Sequence, residues 1–87
     1  VTDAIRQYAE SKAEKLVRFL DLTQQITVVL EQVKLDFTVE IVVDVEKHPD
    51  FVSRGQGDDL YKCIDQAVEK ATRQLTDFKE KLKQGKR

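Results

Sequence analysis

Residues 36–45, DFTVEIVVDV, put Phe37, Val39, Ile41, Val43 and Val45 on one side of an extended chain. Thr38, Glu40, Val42 and Asp44 fall on the other. Strand side chains alternate between faces, so this segment has one apolar face that needs a cover. A chain of 87 residues has room for one small core and no second one. The cover must therefore come from the same domain, residues 1–87. QQITVVLEQV repeats the two-fold period, with Ile26, Val28 and Leu30 opposed to Thr27, Val29, Glu31 and Val33. A short turn near Lys34–Asp36 joins the two strands. KHPD then breaks the ladder, because proline cannot donate to it, and FVSRGQG supplies a third short strand and a glycine loop.

Two flanking segments have the period of a helix. In VTDAIRQYAESKAEKLVRFLDL, the residues Ile5, Tyr8, Ala9, Ala13, Leu16 and Leu20 make one face, with Phe19 at its edge and Thr2 or Asp3 as the cap. From Asp58 onward Leu60, Ile64, Ala67, Val68, Ala71, Leu75, Phe78 and Leu82 keep one stripe over about six turns, capped by Asp58 or Asp59. The closing KQGKR is expected to fray. The order α-β-β-β-α lets both helices bury their stripes on one face of a mainly antiparallel sheet, a two-layer α+β domain.

Charged residues make up 36% of the chain, yet the apolar ones are ordered rather than scattered, as in a folded domain. The net charge of −1 hides an asymmetry. Residues 21–57 carry three bases and seven acids, and residues 70–87 seven bases and two acids. Such polarity steers an anionic partner to one end. Gln66, Lys70, Arg73, Asp77 and Lys81 form a row beside the second stripe, and Lys12, Lys15 and Arg18 run obliquely across the first helix. A row of cations can track phosphates. It can equally be a solvated face held by local ion pairs such as Glu69–Arg73 and Asp77–Lys81. No platform of aromatic rings for stacking bases is evident, so backbone or shape recognition is favoured over base readout.

Enzyme chemistry has little to stand on. Cys63 and His48 are the only thiol and imidazole, and neither a P-loop nor a nucleophile elbow is present. Cys63 reads as a packing residue, and Asp65 as solvent-facing or locally bonded. A lone cysteine fits a reducing compartment and forms no internal disulfide; with no Cys/His cluster and no membrane-length apolar run, the expectation is a cytoplasmic protein without metal or cofactor.

DDLYKCIDQAVEKATRQLTDFKEKLKQ resembles the last helix of the ribosome hibernation-promoting factor and ribosome-associated inhibitor family, whose members are also called sigma-54 modulation or ribosomal subunit interface proteins. The likeness is carried by Asp59-Leu60-Tyr61, Ile64-Asp65, Lys70, Arg73-Gln74-Leu75 and the lysines at 79, 81 and 83. VTDAIRQYAESKAEKL is similar to the family's first helix, and the element order is kept over nearly the whole chain. The resemblance implies a β-α-β-β-β-α fold, here without its first strand. It implies a translation inhibitor of the stress response that occupies the decoding channel of the small ribosomal subunit, blocking mRNA and tRNA with no bond made or broken. The rRNA-binding residues it implies are Lys12, Lys15, Lys70, Arg73, Lys79, Lys81 and Lys83, with Arg6 as a lesser member. An alternative of another class is a protein-binding regulatory module of the sigma-54 modulation type. Asp77 stands where the family often has a base, and Cys63 where it has alanine. The chain starts at the helix cap, which reads as a first strand cut off or a sheet edge covered by something else; with no dimerisation domain after Arg87, it reads as a short family form or as the amino-terminal domain of a longer protein. A bare sheet edge invites pairing with another chain, so a strand-edge homodimer is among the partners expected.

Overall fold

The computed structural model describes residues 2–19 and 23–84, and only the backbone at 18, 19 and 84. Helix α1 (Asp3–Phe19) is followed by β1 (Thr23–Val33), β2 (Asp36–Val45), β3 (Phe51–Gly57) and α2 (Leu60–Gln84). The strands form one antiparallel sheet in the order β1-β2-β3. The α+β architecture expected from the hydrophobic periods is the one found. Leu20 and the side chains of Arg18 and Phe19 lie outside the described residues, as do residues 85–87 of the end expected to fray. Lys83 and Gln84, which belong to the same end, are still helical.

The local choices follow from side-chain chemistry. Thr2 caps α1, its Oγ1 accepting from the Ile5 N–H at 3.2 Å. Asp59 caps α2, its Oδ1 accepting from the Lys62 N–H at 3.3 Å. Each cap satisfies a backbone donor that the first turn leaves unpaired. Lys34 and Leu35 make the β1–β2 turn between the paired Val33 and Asp36, and Lys34 takes a φ of 59°.

The core lies between the sheet and the two helices. Val39, Ile41, Val43 and Val45 of the central strand are buried against Leu60, Ile64, Ala67, Ala71 and Leu75 of α2 and Ala9 and Leu16 of α1. Ile26, Val28 and Leu30 of β1 are half-buried beside this cluster. The stripe of α2 outlasts the sheet. Phe78 meets Phe51, the first residue of β3, with ring centroids 5.4 Å apart. Beyond it Leu82 is 43% exposed.

The contact of β3 with α2 is unusually close, and small residues allow it. Ser53 is buried, and its hydroxyl donates to the Ala67 carbonyl at 2.8 Å. Gly55 passes directly over α2. A Cβ there would collide with the Cys63 carbonyl oxygen and come within 3.1 Å of the Gln66 Cβ. We expect Gly55→Ala to cost roughly 2–3 kcal/mol, because a backbone carbonyl cannot step aside as a side chain can. Urea unfolding measures this, and an unchanged midpoint would contradict the close approach.

Candidate nucleic-acid interface

α2 runs antiparallel to β3, and three of its side chains reach the outer edge of that strand. Gln66 Oε1 accepts from the Gln56 N–H at 3.3 Å. Lys70 Nζ donates to the Arg54 carbonyl at 2.9 Å. Gln74 Nε2 donates to the Val52 carbonyl at 3.1 Å. The match is geometric. Four helical residues rise about 6 Å, and two strand residues about 6.8 Å, so i, i+4, i+8 on the helix keeps step with j, j−2, j−4 on the strand. An edge strand otherwise offers unpaired N–H and C=O groups to any neighbour. The sequence row Gln66–Lys70–Arg73–Asp77–Lys81 therefore does not act as one. Gln66 and Lys70 turn onto β3, whereas Arg73 is exposed with its guanidinium 3.9 Å from Glu69.

α1 and α2 begin at the same end of the sheet. Thr2 and Ile5 share a pocket wall with Leu60. Tyr8 packs edge-on against Tyr61, with centroids 4.9 Å apart, and its hydroxyl donates to Asp65 Oδ1 at 2.6 Å. Asp65 is solvent-facing, as its sequence setting suggested, but its bond is not local: it joins the two helices. The Tyr8–Asp65 bond, then partial burial and the carboxylate's charge, push the Tyr8 phenol above its ordinary pKa. One turn on, Lys12 Nζ lies 5.3 Å from the centre of the Tyr8 ring, in cation–π range. Lys15 is exposed on the same helix.

The remaining predicted cations, Lys79, Lys81 and Lys83, are exposed on the last turns of α2, where the helix has passed the start of β3. The outer face of the sheet has the opposite character. Glu31, Glu40 and Asp44 alternate there with Val29, Val42 and Val52. Its one arginine, Arg54, is held by Glu40 across the strands at 2.8 Å. The two helices together carry ten bases, all seven predicted cations among them, and seven acids, and the acids of β1 and β2 lie on the opposite face. That arrangement suits an anionic polymer at the helices and repels one from the sheet.

Cys63 is 1% exposed, beside Gly57 and the Phe37 carbonyl. Burial first, then Asp59, Asp58 and Asp36, push its thiol pKa up, which keeps it protonated and unreactive. Among the described residues no three His, Cys, Asp or Glu side chains are grouped to hold a metal ion, and no helix is long and apolar enough to cross a membrane.

A sequence model of the sigma 54 modulation protein / S30EA ribosomal protein family matches residues 1–83. The chain belongs to this family. Within it, the ribosome hibernation promoting factor of Escherichia coli strain K12 is 36% identical over 84 residues, 97% of this chain and 87% of that protein. The factor of the same name from Azotobacter vinelandii is 35% identical over 81 residues, 93% of this chain and 75% of that one. Two solved structures share the S30EA fold seen here. The Thermus thermophilus Protein Y N-terminal domain superposes with a TM-score of 0.77 at 35% identity, covering 88% of this chain and 84% of that one. A ribosomal subunit interface protein from Coxiella burnetii gives 0.78 at 25% identity, covering 92% and 87%.

The sequence did not disclose everything the fold brings together. His48, Phe51 and Phe78 form an aromatic cluster, with His48 stacked on Phe51 at 4.4 Å and 9° and edge-on to Phe78 at 4.6 Å. The cluster is a grouping that the sequence did not reveal. Phe78 is far from the other two in sequence, and only the packing of α2 on β3 unites them. The role of Gln74 on the strand edge was legible in principle, because it continues the Gln66–Lys70 spacing.

Two outcomes check this geometry. Tyr8→Phe should cost about 1 kcal/mol, below the roughly 1.5–3 kcal/mol of a bond to a charged group, because the pair is solvent-exposed. The protonated phenol is the form that donates, so this contribution is whole below the ordinary tyrosine pKa and is lost as pH rises through the raised one. Thermal unfolding of both proteins across that range should show their difference vanish at high pH. Cys63 should resist a thiol reagent at neutral pH in the native protein and react at once in denaturant; fast native labelling would refute its burial.

Proposed function

We propose that the protein is a ribosome-binding hibernation factor that inhibits translation. In this reading the helix layer docks on rRNA in the decoding channel of the small subunit, and the folded body excludes mRNA and tRNA. The observation that carries it is the segregation of charge. Lys12, Lys15, Arg73, Lys79, Lys81 and Lys83 stand on the helices, and Glu31, Glu40 and Asp44 on the opposite face. The names of its relatives agree with it, being a ribosome hibernation promoting factor and a ribosomal subunit interface protein. Cations on rRNA phosphates release counterions, so binding should fall steeply with salt. Lys70 contributes with the protons it does not give to Arg54, and its first duty is the strand edge. Pairing with a second copy through a strand edge would use β1, since side chains of α2 occupy the outer edge of β3.

Co-sedimentation with ribosomes tests the proposal. The protein should pellet at low salt and be released at moderate salt. Arg73→Glu combined with Lys83→Glu should weaken binding more than about tenfold, because each reversal replaces a phosphate contact with a repulsion. No co-sedimentation at low salt would sink the proposal, and recovery of polymerase subunits without ribosomes would favour the regulatory module instead.

A further inference from the structure

The aromatic cluster lies at the rim of the basic helix layer and walls a surface pocket. His48, Phe51, Gln74, Asp77, Phe78 and Lys81 line a volume of about 310 Å³ between the β2–β3 connection and α2. His48 is set in place by its own backbone, since Nδ1 lies 2.6 Å from the Pro49 carbonyl oxygen. A carbonyl can only accept, so Nδ1 carries the proton and donates. Gln74 is engaged elsewhere, its Nε2 donating to the Val52 carbonyl at 3.1 Å. The acceptor that the pocket presents is the exposed Asp77 carboxylate.

The chemistry of the wall is specific. Aromatic rings favour a flat π-system. The Asp77 carboxylate is an acceptor only, and so matches an amino-bearing edge rather than a carbonyl-bearing one. The Lys81 ammonium suits an anion beside them. A flat ring, an amino group and a phosphate together describe a nucleotide. RNA is read by sequence chiefly where unpaired bases stack on such side chains and bond through their edges.

We propose that this pocket holds one unpaired nucleotide of an RNA strand. Its amino-bearing base rests against the aromatic wall, its amino group donates to Asp77, and its phosphate meets Lys81. The site rests on the ribosomal reading of the helix layer, and deepens it by adding base readout to phosphate contact. An RNA strand is favoured over a free nucleotide because Lys79 and Lys83 continue along the same helix end as Lys81.

The test compares three oligomers of equal length: oligocytidylate, oligouridylate and an abasic strand. All three carry the same phosphates, and cytosine differs from uracil in offering an amino donor where uracil has a carbonyl. Oligocytidylate should bind roughly tenfold tighter than the abasic strand, as expected for one stacked base, with uridylate between them. In the wild-type protein it should also shift the ring-proton resonances of His48, Phe51 and Phe78. His48→Ala, checked for folding by thermal melting, should bring all three strands to the affinity of the abasic one. Equal affinity for the three, with unmoved ring signals, overturns the pocket. Cytidine monophosphate binding as tightly as the oligomer overturns the assignment to an RNA strand. Ribosome co-sedimentation of the same samples reads the functional proposal separately. If it persists while base dependence is flat, the pocket alone falls.

Discussion

The approach of α2 to β3 is the contact from which the rest of the arrangement follows. Gly55 lets the strand backbone lie against the helix backbone at Cys63. At that distance Gln66, Lys70 and Gln74 reach the strand's outer edge, and Ser53 reaches the Ala67 carbonyl. Four hydrogen bonds, each modest alone, then fix the helix in register along the strand. A helix held this way cannot slide. Its first half is tied to the sheet and its basic end is carried past the start of β3.

Charge segregation is a consequence of that placement. The composition is nearly balanced, with a net charge of −1. The balance does not survive folding, because the helices take one side of the sheet and strand alternation sends Glu31, Glu40 and Asp44 to the other. A near-neutral chain thereby gains a side with a modest excess of bases without the self-repulsion of a large net charge. The aromatic pocket sits where the two tendencies meet, with Lys81 and Asp77 on one wall.

Much of this was legible in the sequence. The two-fold alternation of Phe37 to Val45 and the long stripe of α2 defined the layers, because burial imposes a period that residue types display directly. The cations were legible as residues and only partly as a surface. Lys70 shows why. Helical spacing put it in a row with Arg73 and Lys81, but its ammonium is claimed by the Arg54 carbonyl, a partner that depends on tertiary register. Tyr8–Asp65 and the union of His48 with Phe78 were hidden for the same reason. Long-range pairings leave no periodic trace. Cys63 was read correctly as packing, since a small residue on the stripe's flank has no base beside it to make it reactive.

The central claim is that the helix layer faces the ribosomal RNA and the sheet face does not. Directed hydroxyl-radical cleavage tests it most directly. In a Cys63→Ala background, an iron chelate would be tethered either through Lys83→Cys, at the basic end of α2, or through Val29→Cys, on the outer face of the sheet. The account predicts strong cleavage of small-subunit rRNA from the first position and weak cleavage from the second. Strong cleavage from Val29→Cys with little from Lys83→Cys would contradict it.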